Sequence, residues 1–385
     1  MPVSRLVAPA AALSLIALLA LSLPATDALG RPLPLSLVLG AAFGLVLQRT
    51  RFCFWCNARD WFERREPSGL LAIVVALATG AVGYAVVLGA WVPDPFAGRL
   101  PPDAHIGPVS LTLAAGAFAF GLGMAISGSC ISAHLYRLGE GSFGSLVALL
   151  GAFLGFVFGF LSWKTLWLRD VISAPVVWLP GYLGHAGSLA LTLGLLGGLV
   201  ALLIWRGRFD APVPRSGFAA LVKTRWPGVP GGILIGFIAT LAYFRVGPLG
   251  VTAEIGSLSR TAAAALGILP DTLPGLDSLR GCATVIKETL ASRNGVFVAG
   301  LVLAAFASAR AAGDWKPALP APRDLPRLFF GGVLLGWGAM VALGCTVGVI
   351  LSGIMAGAGS GWVFALACGL GGWTGWRLRG GKRIS

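Results

Sequence analysis

Long segments without any charged residue recur along this chain of 385 residues. About 20 consecutive apolar residues are enough for a helix to cross a lipid bilayer. Charged residues make up only 11% of the chain, against roughly a quarter in a soluble domain. This composition excludes a disordered chain, a coiled coil, a disulfide-dense secreted domain and an ordinary cytosolic enzyme. It predicts an all-α polytopic integral membrane protein. The predicted spans are 6–24, 34–48, 69–93, 110–127, 143–162, 182–205, 229–244, 294–309, 328–344 and 361–376.

Several of these spans are short, and two pairs of them run into glycine-rich stretches instead of polar loops. Short hydrophobic segments interrupted by glycine are typical of broken or re-entrant helices, which are tolerated only inside a protein or along a cavity. We therefore expect a helical bundle that contains short re-entrant helices.

The basic residues give a formal net charge of +14 and lie mostly between the predicted spans. Cytoplasmic loops of membrane proteins are rich in Lys and Arg, so this charge requires no nucleic-acid partner and fits a lipid bilayer. Ten spans with a cytoplasmic N-terminus place every basic segment inside, and put segment 94–109 outside. Both termini are then cytoplasmic, in a bacterial inner (plasma) membrane. The basic segments are 49–66, 206–225, 310–327 and 377–385.

The first 30 residues fit either a retained helix or a signal peptide. A basic start, Met1 to Arg5, precedes an apolar run from Leu6 to Leu23. Pro24 to Ala28 matches a signal-peptidase site poorly, and the apolar run is long for a signal. We therefore expect a retained first helix.

The two halves of the chain resemble each other. A Gly-x-Gly begins nine residues before Cys130 and again nine residues before Cys345. Under the ten-span topology the matched spans run in opposite directions, which predicts an inverted repeat with a site at its interface near the bilayer midplane. Chance similarity between glycine-rich stretches is the alternative explanation.

This repeat divides the chain into five parts. They are an N-terminal hydrophobic helix, a first repeat, a linking helix with a basic cytoplasmic loop, a second repeat in inverted orientation, and a basic cytoplasmic tail. In that order the parts comprise 1–33, 34–165, 166–228, 229–376 and 377–385.

Two cysteines follow breaks made of small residues. Cys130 follows Gly128 and Ser129, and Cys345 lies between Gly344 and Thr346. Each break predicts the start of a new short helix, whose free N–H groups and partial positive charge suit an anion. Their equivalent places in the two repeats favour a functional role over simple burial.

The other cysteines are less informative. Cys53 lies close to Arg51, whose charge favours an anion or a thiolate. Cys53 and Cys56 form the only C-x-x-C, which is half a zinc site at best, so we predict no metal. Cys368 lies inside an apolar span and reads as packing, whereas the role of Cys282 stays open.

Enzyme signatures are missing from the sequence. It contains no nucleotide-binding loop, no H-E-x-x-H and no convincing Ser/His/Asp set, so we predict neither a catalytic residue nor a cofactor. His134 is as readily an interfacial residue as a functional one.

Together these motifs resemble the YeeE/YedE family of membrane proteins, a sulphur transport group. The resemblance covers both halves of the chain, roughly 34–160 and 229–376. The matching stretches are Arg51-Phe52-Cys53-Phe54 with Arg59-Asp60, Gly121-x-Gly123-Met124 to Gly128-Ser129-Cys130 with Tyr136-Arg137-Leu138-Gly139-Glu140-Gly141, and Gly336-Trp337-Gly338-Ala339 to Gly344-Cys345-Thr346-x-Gly348.

The resemblance implies an hourglass-like helical bundle that imports thiosulfate for sulfur assimilation or transfer. It implies a narrow path lined by three thiols, which are Cys53, Cys130 and Cys345 in this chain. It also implies a cytosolic sulfur-carrier partner of the TusA type. Since Cys56 and Cys282 are not part of the family motif, a redox role stays open.

Three other interpretations compete with a thiosulfate transporter. They are a thiol–disulfide oxidoreductase that uses Cys53 and Cys56, a transporter of another sulfur or selenium species, and a membrane scaffold without transport. For the thiosulfate transporter we expect mostly protonated thiols, because a thiolate repels a dianion, and no covalent intermediate.

Overall fold

The computed structural model describes residues 4–27, 30–209, 222–277, 284–289 and 291–380, and they form helices joined by turns and loops. The all-α prediction is confirmed. The α-helices are α1 (Ser4–Ser22), α2 (Leu33–Thr50), α3 (Phe54–Arg64), α4 (Ser68–Trp91), α5 (Leu111–Ser127), α6 (Ile131–Gly139), α7 (Gly144–Arg169), α8 (Pro180–Arg206), α9 (Gly228–Arg245), α10 (Thr252–Ala265), α11 (Arg293–Ala312), α12 (Leu325–Val341) and α13 (Gly359–Leu378). A π-helix, Thr346–Gly353, lies between the last two.

The predicted spans all fall on helices, but fewer than ten have the length and hydropathy of a complete span. Within the described ranges, seven helices are long and apolar enough, or eight if Pro322–Val341 and Thr346–Gly353, bent by 43°, form one span. α1 counts only as a shorter apolar helix. α13 reaches 20 residues, but its Gly and Trp residues lower its mean hydropathy.

The helix pairing is symmetric between the two halves. α2 packs on α11 while α4 packs on α9, and α7 packs on α12 while α5 packs on α13. In the repeat, α2, α4, α5 and α7 of the first half match α9, α11, α12 and α13 of the second half. Replacing each helix by its match turns the contact of α2 with α11 into that of α9 with α4. The same replacement turns the contact of α7 with α12 into that of α13 with α5. Two related repeats produce this pattern.

The contact between α5 and α12 shows the relative direction of two matching helices. Gly116 lies against Val341, whereas Gly123 lies against Gly331, so the two helices are antiparallel. An inverted repeat requires this arrangement. The boundaries 34–165 and 229–376 remain our proposal for the two repeats.

Glycines allow the paired helices to approach closely. At the contact of α12 with α7, Gly332 lies against the backbone of Ala148, and Gly336 lies against that of Ala152. A Cβ at either glycine would clash with a backbone carbonyl, so no side chain fits there. Small residues at a four-residue spacing are typical of close packing between membrane helices.

Short helices start after both predicted breaks, and a third short helix, which the sequence did not predict, starts after Cys53. Cys53 immediately precedes α3, Cys130 precedes α6 and Cys345 precedes the π-helix. Segment 246–293 contains α10, as its sequence allowed, whereas Cys282 lies outside the described residues. α1 packs against α2 and α11.

Candidate functional site

Two of the predicted site cysteines meet inside the protein. The Sγ atoms of Cys53 and Cys130 are 3.9 Å apart, and neither side chain is exposed to solvent. Both residues occupy the N-cap position of a short helix, in extended backbone conformation. The N-terminal ends of α3 and α6 therefore converge on one pair of thiols.

The residues before each cysteine create these helix starts. Gly128 ends α5 with a φ of 91°, a left-handed conformation that glycine adopts without a steric penalty. Arg51 ends α2 in the same region, with a φ of 53°. In each case the helix is interrupted for a few residues without a large change of direction, and the cysteine at the start of the next helix is buried.

Cys130 also contacts a hydroxyl group, because its Sγ is 3.3 Å from Oγ of Ser132. Ser129, another predicted site residue, is fully buried and donates its hydroxyl to the carbonyl of Gly128 at 2.7 Å. Ser129 therefore stabilises the break before Cys130, because its hydroxyl hydrogen is used in the bond to Gly128.

A third thiol, Cys56, lies beside this pair. Its backbone N–H donates to Sγ of Cys53 at 3.4 Å, and its own thiol lies 3.9 Å from the carbonyl of Gly128. Nη2 of Arg137 donates to Sγ of Cys56 at 3.1 Å. All five cysteines in the described part of the chain are free thiols.

Arg137, and not Arg51, is the guanidinium beside the thiols. Sequence proximity suggested Arg51, but that side chain is exposed at the end of α2. Arg137 lies on α6, two turns after Cys130, and its long side chain reaches Cys56 on α3. Only the short spacing between Cys130 and Arg137 in the sequence hinted at this contact.

Cys345 lies apart from the other two predicted thiols. The hydrogen bonds of the described residues join it to neither Cys53 nor Cys130. It is buried after two residues with positive φ, Leu343 at 60° and Gly344 at 153°. Thr346, also a predicted site residue, is buried at the first position of the π-helix.

Two small cavities lie near Cys345. Both are lined by Leu343, and each has a volume of about 10 Å³, which is room for about one water molecule. One of them is also lined by His105, which the sequence did not single out. Burial lowers the pKa of His105 to about 4, so its imidazole is neutral near pH 7.

Beside Cys56 the protein contains a large cavity of about 780 Å³. Its lining includes Gly128 and Arg137, which contact the Cys56 thiol through a carbonyl and a guanidinium. Three further arginines and two acidic residues line it, namely Arg59, Arg327, Arg379, Glu63 and Asp324. The cavity thus has an excess of positive charge and extends to the basic end of the molecule.

His134 lies between this cavity and the core. Its ring nitrogens are 3.3 Å from Oγ of Ser145 and 3.2 Å from Oγ of Ser127. It is therefore a buried, hydrogen-bonded residue of the cavity wall. Cys368 is buried in α13, where its backbone carbonyl meets Gly121, consistent with a packing role.

Fold and site together define a class: a polytopic helical membrane protein with buried thiols at the starts of short helices, next to a basic cavity. Comparison with known proteins gives the family. The sulphur transport family matches residues 49–374, and the chain belongs to it. The YeeE/YedE resemblance is thereby confirmed.

Named relatives belong to the same group. The "Thiosulfate transporter TsuA" of Escherichia coli is 28% identical over 357 residues, which is 88% of this chain and 92% of the relative. The protein of the same name from Spirochaeta thermophila is 28% identical over 362 residues, 88% of this chain and 96% of that relative. The "Probable transporter YedE" of Escherichia coli is 32% identical over 180 residues, covering 46% of this chain and 42% of the relative.

Proposed function

We propose that this protein imports thiosulfate, or a closely related sulfur anion, along a path lined by Cys53, Cys130 and Cys345. The observation that carries the proposal is the buried thiol pair of Cys53 and Cys130, 3.9 Å apart, at the converging starts of two helices. Two relatives named as thiosulfate transporters match nearly their whole length, which supports this substrate.

The chemistry of the site suits this anion. Thiosulfate is a dianion with a soft terminal sulfur, and helix N-termini offset negative charge without a buried basic residue. A neutral thiol is a weak hydrogen-bond donor and a weak acceptor. Weak contacts repeated along a path allow both binding and release, as transport requires. Thiosulfate therefore passes protonated thiols and forms no covalent intermediate with them.

The two ends of the proposed path differ in this structure. The large cavity reaches the basic end, whereas the two cavities lined by Leu343, near Cys345, have volumes of about 10 Å³ each. If the basic end is cytoplasmic, the structure is an inward-open state, with both termini on the cytoplasmic side of the inner membrane. Import then requires the chain around Leu343 and Gly344 to open. Thiosulfate released into the cytoplasm supplies sulfur for assimilation, through a carrier protein of the TusA type.

Growth on thiosulfate tests the proposal. A bacterium that lacks its own sulfate and thiosulfate importers expresses either the intact chain or a Cys130→Ser variant, at equal amounts in the membrane. We expect the intact chain to support growth and the variant to fail. Growth with both proteins would exclude the thiol path. Absence of growth with the intact chain would exclude thiosulfate, and growth on sulfite or selenium oxyanions would then identify another substrate.

A further inference from the structure

One buried hydroxyl group beside the thiols lacks a well-aligned hydrogen bond. Tyr136, on α6, is not exposed to solvent, and its hydroxyl lies beside the guanidinium of Arg137 without a well-aligned hydrogen bond to any described residue. Cys53 and Cys56 also lie near this hydroxyl. A buried polar group without a well-aligned partner costs stability, so this hydroxyl is available to a ligand that reaches Arg137.

The neighbouring guanidinium also lacks an acidic partner. Arg137 forms no ion pair with the carboxylates of the described residues, and its Nη2 donates to Sγ of Cys56. A thiol sulfur is a weak acceptor, whereas a guanidinium binds an oxyanion strongly through two parallel N–H groups. An entering oxyanion would therefore displace Cys56 from Arg137.

The nearest acidic side chain on the same helix end is already bound elsewhere. Glu140 accepts a hydrogen bond from Nε2 of Gln48 at 3.0 Å and lies 3.9 Å from Nη1 of Arg225. Arg225 also pairs with Asp314 at 3.2 Å. These contacts hold the acidic groups away from Arg137 and leave its charge uncompensated at the edge of the cavity.

We propose that Tyr136 and Arg137 form an oxyanion subsite between the thiol pair and the cavity. This inference rests on the proposed function and specifies where the substrate is held before release. The Tyr136 hydroxyl and the Arg137 guanidinium bind the oxygens of the sulfur anion, and the terminal sulfur faces Cys53 and Cys130. The ligand class is a small divalent sulfur oxyanion.

Cys56 has a different role in this arrangement. It occupies Arg137 when no anion is bound and contributes no essential contact to the anion. A hydroxyl at position 56 accepts a hydrogen bond from Arg137 equally well. The subsite therefore needs Tyr136 and Arg137 but tolerates a Cys56→Ser substitution.

Uptake of labelled thiosulfate by proteoliposomes tests the subsite. Tyr136→Phe removes one hydroxyl, and a hydrogen bond to a charged group typically contributes about 10-fold or more to affinity. We expect the half-saturating thiosulfate concentration to rise by at least roughly 10-fold, with an unchanged or higher Tm because a poorly paired buried hydroxyl has been removed. Arg137→Lys, which keeps the charge but not the planar donors, should also raise it.

Tyr84→Phe is the matched control. Tyr84 is also buried, on α4, where its ring stacks on Tyr243 at 4.4 Å between centroids. We expect this variant to keep the half-saturating concentration of the intact protein. An unchanged half-saturating concentration in Tyr136→Phe would overturn the subsite, and so would a marked fall in its Tm, which would show a structural hydroxyl.

The outcome also separates the subsite from the proposed function. If the intact protein takes up thiosulfate and Tyr136→Phe behaves identically, the function stands and the subsite is wrong. If the intact protein takes up none, stabilisation by sulfate, sulfite and selenite is measured as a rise in Tm. A rise that Tyr136→Phe abolishes supports the subsite for another anion, and no rise with any of them overturns both proposals.

Discussion

Cys53 and Cys130 occupy equivalent positions at the starts of two short helices, but their surroundings differ. Cys130 contacts the hydroxyl of Ser132, whereas Cys53 accepts the backbone N–H of Cys56. Both sulfurs are buried, which fits neutral thiols acting as contacts for a soft atom. A redox-active cysteine instead requires access and a stabilised thiolate.

Loss of any one of the three proposed path thiols should strongly reduce transport. Serine replaces the large, polarisable sulfur by a smaller, harder oxygen, which withdraws the contact with the terminal sulfur of the substrate. We expect Cys53→Ser, Cys130→Ser and Cys345→Ser each to lower thiosulfate uptake by about 10-fold or more. Cys368→Ala is the control in the same membrane and should retain uptake. Normal uptake in any of the three serine variants would remove that thiol from the path.

Cys56 separates transport from thiol–disulfide exchange. An oxidoreductase that uses Cys53 and Cys56 requires both thiols, so Cys56→Ser would inactivate it as fully as Cys53→Ser. Our account predicts that Cys56→Ser keeps most of the uptake. Uptake is compared in the two variants, and mass spectrometry without reductant shows whether a disulfide forms. Equal inactivation together with a disulfide in the intact protein would favour the oxidoreductase.

His105 should make stability depend on pH. Its pKa is lowered by burial from an ordinary value of 6.5 to about 4, so between these values the unfolded chain binds the proton more readily. Stability is therefore retained above pH 6.5 and falls as the pH decreases towards 4. We expect the Tm in detergent to fall between pH 7 and pH 5, and to fall less in His105→Gln. Parallel curves for both proteins would contradict this.

At the scale of helices, glycine contacts set the spacing of the bundle. Gly336→Ala places a Cβ against the backbone carbonyl of Ala152, where only a shift of α12 relieves the clash. Overpacking of this kind costs about 1–3 kcal/mol, which lowers the Tm by roughly 2–10 °C. Gly194→Ala, on α8, is the control, because no atom lies within 4 Å of the added Cβ. A similar Tm for both variants would show that α7 and α12 do not pack as described.

The sequence predicted the helices better than their ends and contacts. Spans such as 69–93 are recognisable because a bilayer requires long uncharged helices, and the breaks before Cys130 and Cys345 are recognisable from glycine. The π-helix after Cys345 was not predicted, because Thr346–Gly353 has the composition of any apolar helix. Predicted spans 6–24 and 361–376 form helices but lack the length or hydropathy of the other spans.

The site was predicted in part, for a related reason. Cys130 and Cys345 were singled out because each follows a small-residue break in its own segment, and Cys53 because it belongs to the family motif; their roles in transport stay predictions. The contact of Arg137 with Cys56 joins side chains of α6 and α3, and no local pattern in the sequence reports it. The burial of His105 likewise results from the fold, since its own segment reads as an ordinary loop.

At the scale of the molecule, helices of the two halves interleave. α2 and α4 of the first half pair with α11 and α9 of the second, and α5 lies antiparallel against α12. The large cavity lies at one end of this arrangement, and the small cavities lined by Leu343 lie apart from it. If the two halves are inverted repeats, as we propose, import requires them to change their relative positions.

The orientation in the membrane is tested by labelling single added cysteines. Phe96 is 64% exposed in the predicted outer segment, and Leu319 is 84% exposed in a predicted cytoplasmic one. In a Cys282→Ser background, Phe96→Cys should react with an impermeant maleimide in intact cells. Leu319→Cys should react only after permeabilisation, because the basic segments face the cytoplasm. The reverse pattern would invert the topology and make the large cavity the entrance.

The measurement closest to the central claim is uptake of radiolabelled thiosulfate into proteoliposomes that contain only this protein. We predict saturable uptake with the intact chain, and uptake at the level of empty vesicles with Cys130→Ser at equal incorporation. Because no other protein is present, this result assigns both the substrate and the thiol path to this chain. Equal uptake by both proteins, or none by a folded intact chain, would contradict the account.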